Sequence, residues 1–142
     1  QMLFSNISPL YKELLDDGII TSPLSYETFD SEGVMACIIS GESKDPKMVL
    51  DKCINTVKDA KKNGLDKKQF EMLKKSKFGS IIRGFNNVEN CAELMLSSHF
   101  FAESDAFVSS EEYANLTYED CIEALDVLFD TDNVAISIVD NK

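Results

Sequence analysis

The chain has 142 residues, 14 basic against 25 acidic side chains, a formal charge of −11 and a single histidine. That length suits one domain burying roughly 68–70% of its unfolded surface, and ordinary apolar (44%) and charged (27%) fractions exclude wholesale disorder. No apolar run reaches the roughly 18–20 residues of a membrane span, no signal peptide is visible, and one histidine excludes any motif that needs two.

Beginning at Gln1 rather than Met, the chain reads as cut from something longer. Ser8-Pro9 opens a first helix: serine caps free amides, and proline at the first helical position loses no needed donor. Leu10 with Leu14 and Tyr11 with Leu15 recur at i, i+4, and Gly18 stops the helix. Ser25–Asp30 and the apolar run Val34–Ser40 predict an antiparallel hairpin across Ser31-Glu32-Gly33. The continuous apolar character of the second strand predicts a place inside a helix-covered sheet.

Asp45-Pro46 repeats the cap-plus-proline signal. Val49, Leu50, Cys53, Ile54, Val57 and Ala60 form the apolar stripe of a helix ending at Asn63-Gly64. Asp66 with Gln69 is a capping-box pattern opening the next helix, whose expected buried side is Phe70, Leu73, Phe78, Ile81 and Ile82. Gly84 and Asn86-Asn87 interrupt it, and a further helix from about Val88 is expected to bury Cys91, Ala92, Met95 and Phe100. Ser109 with Glu112 and Thr117 with Asp120 mark two more helix starts, the latter running through Ile122, Leu125, Leu128 and Phe129. Alternation from Val134 to Val139 predicts a closing strand. Early strands and a later run of helices imply an α+β fold, a mainly antiparallel sheet layered with helices, as one domain over residues 1–142. Three strands are few for so many helices, which suggests that others belong to chain outside this sequence.

Charge is unevenly spread: residues 44–83 hold 12 basic and 5 acidic side chains, whereas residues 84–141 hold 13 acidic and no basic ones. Eight lysines fall between Lys58 and Lys77. Asp59, Asp66 and Glu71 interleave with them and no aromatic platform accompanies them, so a solvated helical face is expected rather than a nucleic-acid site. An acidic surface meeting a basic partner stays open.

Cysteines 37, 53, 91 and 121 lack C-x-x-C spacing and sit among apolar residues, reading as buried free thiols in a reducing cytoplasm. His99 stands beside Phe100 and Phe101 without a nucleophile elbow, which points to a surface or satisfied core histidine. Asp130-Thr131-Asp132-Asn133 begins like a calcium loop, but Ala135 and Asn141 stand where Gly and Glu are required, so a turn is expected. No glycine-rich nucleotide motif is present. Paired carboxylates such as Glu111-Glu112 and Glu119-Asp120 fall in first helical turns, where the helix dipole favours them. Arg83, the only arginine, stands next to Gly84-Phe85-Asn86; it either binds a substrate carboxylate or satisfies carbonyls at the end of the preceding helix.

Several segments, in order, resemble one known family. Leu3-Phe4, Ser8-Pro9-Leu10-Tyr11 through Leu14, and Asp17-Gly18-Ile19-Ile20 resemble the "LFG-S-SPLY-x-x-L-x-x-x-GLI" segment of M16 (pitrilysin/insulinase) peptidases, in particular the bacterial processing-peptidase-like branch. Phe78-Gly79-Ser80 to Phe85-Asn86 resembles that branch's "G-x-x-x-R/K-x-F/L-N" stretch, and Leu116-Thr117-Tyr118-Glu119-Asp120 its "LTYEDV" helix start.

The resemblance implies an M16/LuxS-like metallohydrolase domain from a protein of two homologous halves that enclose a chamber for unfolded peptides. Zinc would belong to an inverted H-x-x-E-H motif in the N-terminal half. This chain looks like the last part of a C-terminal half, with no metal ligands or catalytic residues of its own. Its partners would be the N-terminal half, in the same chain or another subunit, and peptide or unfolded-protein substrate, without nucleic acid or membrane. Arg83 and Asn86 are the expected substrate-binding residues. Active family members often place an Arg and a Tyr near the helix-to-strand connection; here Lys12 and Thr21 are the nearest polar residues. That departure leaves two expectations: a chamber-closing domain of an active zinc peptidase, or an inactive M16-like subunit or interaction module.

Overall fold

The computed structural model describes residues 1–31, 34–101 and 108–140. Six helices and a two-stranded antiparallel sheet make an α+β architecture among these residues. The chain groups into two units, residues 1–65 with 122–142, and residues 66–121.

In the first unit, α1 (Pro9–Asp16) begins where the Ser8 hydroxyl accepts from the Tyr11 N–H at 3.2 Å. Gly18 adopts φ +66°, a left-handed conformation that only glycine takes cheaply, and the Ile19 and Ile20 N–H groups donate back to the Leu14 carbonyl. This turn drives both isoleucines inward. Strands β1 (Ser25–Ser31) and β2 (Val34–Ser40) pair from Ser25↔Ser40 to Ser31↔Val34; the intended link residues Glu32 and Gly33 lie outside the described residues. Helix α2 (Pro46–Asn63) starts at Asp45, whose carboxylate accepts from the Met48 N–H at 3.0 Å, and ends at Gly64 with φ +79°.

Leu14 and Ile20 are the most completely enclosed side chains of a core that also holds Phe4, Leu10, Ile19, Cys53 and Val57. Tyr26 and Ile39, cross-strand neighbours, pack against it from one face of the hairpin. The rings of Phe4 and Phe129 meet at 5.8 Å.

The hairpin's other face is open. Ile38 is 52% and Phe29 56% exposed, so β2 is not the interior strand that its apolar run predicts. Alternate side chains of a strand point to opposite faces, and among the described residues only one face packs against the helix-borne core. The expected closing strand is also corrected. Asp130 does turn the chain, its carboxylate accepting from the Asp132 N–H at 3.0 Å, but residues 134–139 join no sheet among the described residues. Val134, Ile136 and Ile138 each stay about half exposed. Alternation makes a segment competent for pairing, but a strand forms only where a partner supplies hydrogen bonds.

The second unit contains α3 (Lys67–Gly84), α4 (Val88–Phe101), α5 (Val108–Asn115) and the start of α6 (Tyr118–Leu128). Asp66 caps α3, accepting from the Lys68 N–H at 2.8 Å and the Gln69 N–H at 3.3 Å. Phe70 is buried and its ring meets Tyr118 edge-on at 5.9 Å, while Ile82 is 46% exposed on the same helix. Met95 and Phe100 are likewise open, correcting their assignment to a buried side. Helix α5 starts at Val108, which puts Ser109 inside its first turn rather than at the cap. Leu125, in the part of α6 that belongs to the first unit, is that helix's buried anchor.

Candidate peptide-binding site

The sequence nominates Arg83 and Asn86, and local hydrogen bonding places them in one turn. The Asn86 N–H donates to the Arg83 carbonyl at 3.1 Å and the Asn87 N–H to the Gly84 carbonyl at 3.1 Å, closing the end of α3. Asn87 then starts α4: its side-chain oxygen accepts from the N–H groups of Glu89 (2.8 Å) and Asn90 (3.2 Å). An Asn before an apolar-acidic pair carries that capping signal in the sequence, although the adjacent Asn86 and Gly84 make the stretch read as a simple interruption. The Cys91 thiol donates to the Phe85 carbonyl at 3.4 Å and pins the turn from inside.

Arg83 donates from Nη2 to the Ser80 hydroxyl at 3.2 Å, and Ser80 in turn donates to the Ser76 carbonyl. Its guanidinium therefore lies along its own helix and meets a hydroxyl rather than the helix-end carbonyls. Both Arg83 and Asn86 are exposed. Arg83 offers a guanidinium fork and Asn86 an amide, chemistry suited to a carboxylate or a peptide group, each at a solvated position where such contacts are individually weak.

A second surface suited to peptide lies in the first unit. Among the described residues β1 and β2 pair only with each other, so each keeps an outer edge of backbone N–H and C=O groups. An extended chain adds to such an edge through main-chain hydrogen bonds.

The helix-to-strand connection of this unit is built for rigidity. The Ile19 carbonyl accepts from the Ser43 hydroxyl (3.1 Å) and the Lys44 N–H (3.0 Å). Lys52 of α2 donates to Glu13 and, at 2.9 Å, to Asp17. These contacts, the Glu13 one first, raise the Lys52 ammonium above its ordinary value. Lys12 and Thr21 are exposed and carry neither a guanidinium nor a phenol into the connection.

The remaining candidate chemistry does not assemble. His99 is exposed on α4, its ring 5.3 Å from that of Phe100. All four cysteines are free thiols. Burial raises Cys37 and Cys121, and pushes Cys53 up to about 11, the wrong direction for a nucleophile. No cluster of three His, Cys, Asp or Glu side chains that could hold a metal exists among the described residues. With one histidine, the chain does not fit the zinc site of the resemblance.

The lysine run contains structural members. Lys74 donates to the Leu116 carbonyl at 2.6 Å, binding α3 to the end of α5. Lys67 lies 4.7 Å over the Tyr118 ring, and Lys61 pairs with Asp126 at 3.5 Å.

No family model and no curated protein matches the chain. Its fold is similar to that of a crystal structure described as an M16-like peptidase from Alicyclobacillus acidocaldarius, with a TM-score of 0.81 and 19% identity. The likeness covers 93% of this chain and 32% of that one. At that identity it establishes the architecture: an α+β domain like a part of an M16-like peptidase.

Proposed function

We propose that the chain is the C-terminal, non-zinc portion of an M16-like peptidase of the bacterial processing-peptidase-like branch. In that reading it closes the peptide chamber and helps to hold extended substrate. The carrying observation is the fold likeness, which takes in nearly all of this chain but about a third of the similar structure. The single histidine is consistent with it, because the chemistry then rests on residues outside this chain. The partners are the N-terminal half, in which zinc is expected, and an unfolded peptide. The location is the cytoplasm.

Within the second unit, Arg83 and Asn86 are proposed to bind substrate; in the first unit, independently, a free edge of the β1–β2 hairpin is proposed to receive an extended chain as an added strand. Two separate measurements test this: hydrogen exchange with an unfolded polypeptide should show protected amides along one hairpin edge, and R83A/N86A should weaken peptide binding in a titration. Unchanged exchange at both edges with saturating peptide would remove the strand-addition role.

A second reading, an inactive M16-like interaction module, is favoured by one observation. The resemblance leads one to expect an Arg and a Tyr near the helix-to-strand connection; neither stands at the matching places, and the nearest polar residues, Lys12 and Thr21, are both exposed. An H-x-x-E-H motif encoded upstream favours the first reading, and its absence the second.

A further inference from the structure

Helix α3 carries a seam that the described residues of its own unit leave open. Lys68, Met72, Lys75, Gly79 and Ile82 follow one another at spacings of 4, 3, 4 and 3 residues, which puts them in one row along the helix and matches the repeat of helix-on-helix packing. Met72 is 57% and Ile82 46% exposed, and Lys68 and Lys75 are exposed without an ion pair among the described residues. A shallow depression of about 550 Å³ begins the row, lined by Lys67, Lys68, Glu71, Met72 and Lys75.

Gly79 is the informative member. It lies inside an 18-residue helix, where glycine is a poor choice, and its φ is not positive. A Cβ built there meets nothing within 4 Å. Neither backbone conformation nor packing among the described residues calls for glycine, whereas close approach of another backbone does.

We infer that this row docks an acidic amphipathic helix of a separate polypeptide, with Gly79 as the point of closest approach, Met72 and Ile82 as apolar contacts, and Lys68 and Lys75 facing carboxylates. The lysines choose the partner's charge; the one acidic side chain at the row, Glu71, is outnumbered by its neighbours. A second copy of this chain is the poorer occupant, because a symmetric contact through this row would set Lys68 and Lys75 against the same lysines. The inference does not depend on peptidase ancestry.

The experiment is fluorescence anisotropy of a labelled synthetic helix of about three heptads, with leucine along its seam and glutamate beside it, titrated with the whole chain. A companion peptide carries lysine in place of glutamate. The glutamate peptide should bind and the lysine peptide should not. K68E/K75E should weaken binding by about tenfold or more. G79L should weaken it similarly while melting no lower than the parent chain, since its Cβ enters open space; G79A, a smaller addition, provides the same test at lower amplitude. Equal binding of both peptides, or full binding by G79L, would overturn the inference. So would concentration-dependent dimers in sedimentation that G79L abolishes, which would make a second copy the occupant.

Discussion

Thr117 and Asp120 hold each other at the start of α6: the Thr117 N–H donates to Asp120 Oδ2 at 2.7 Å, and the Asp120 N–H donates to Thr117 Oγ1 at 3.2 Å. The exchange satisfies two amides that a helix start leaves without partners. It also gives the Leu116-Thr117-Tyr118-Glu119-Asp120 motif a physical reason, since threonine and aspartate three apart are what the reciprocal cap requires.

This cap makes the first prediction. Hydrogen bonding from Thr117 holds the Asp120 carboxyl below its ordinary value of 3.8. The folded value lies below the unfolded one, so the contribution is complete above the unfolded value and disappears as pH falls through the folded one. Acid titrations of T117A and the parent chain, followed by circular dichroism, should show the Asp120 step moved upward in the variant. An unmoved step would separate the carboxyl from the cap.

Cys53 supplies a transition at the alkaline end. Burial, with a smaller push from Cys37, raises its thiol from 9.0 to about 11. The unfolded chain releases this proton first, so stability falls as pH rises from 9 towards 11. Denaturant melts across that window should decline less steeply for C53A than for the parent chain, and the difference should vanish below pH 8.

Leu14, with no exposed surface, lies at the centre of the first unit's core. Leu14→Ala should cost about 2–5 kcal/mol, the sum of lost transfer energy and the cavity left behind. Urea unfolding at neutral pH measures it, and a loss below about 1 kcal/mol would show that the core closes around the gap.

Gly18 and Gly79 should answer alanine with opposite signs. Among the described residues neither has an atom within 4 Å of an added Cβ, so backbone conformation decides. At φ +66°, G18A should lose about 1–2 kcal/mol. In the helical interior, G79A should gain about 0.5–1 kcal/mol. Thermal melts of the two variants side by side check both signs.

Local signals explain how much of this fold is legible in the sequence. Ser8, Asp45, Asp66 and Thr117 each place a short oxygen beside amides that need one, and each cap appears in the structure. Such readings succeed because donor and acceptor lie within three residues. Burial is legible only in part. The stripe of α2 finds its core at Cys53 and Val57, whereas Met95 and Phe100 on α4 remain open. Periodicity identifies a face able to be buried, but says nothing of what covers it.

The same limit explains Val134–Val139, where alternation is present and a pairing strand is not. Lys74 shows the converse. Its partner, the Leu116 carbonyl, lies 42 residues away, and no local pattern separates it from the solvated lysines of the same run. For Arg83 and Asn86, the turn that joins them is written in Gly84 and Asn87, while the bond from Arg83 to Ser80 depends on a side-chain conformation that spacing does not determine.

The central claim, that this is the non-zinc part of a peptidase, is tested most directly by zinc content and peptide hydrolysis, measured on this chain alone and on the longer polypeptide that the proposal implies. The account predicts neither zinc nor hydrolysis for the chain alone. It predicts both for the longer polypeptide, with hydrolysis abolished by a chelator and lost again when this chain is deleted. Stoichiometric zinc and chelator-sensitive hydrolysis in the isolated chain would contradict it.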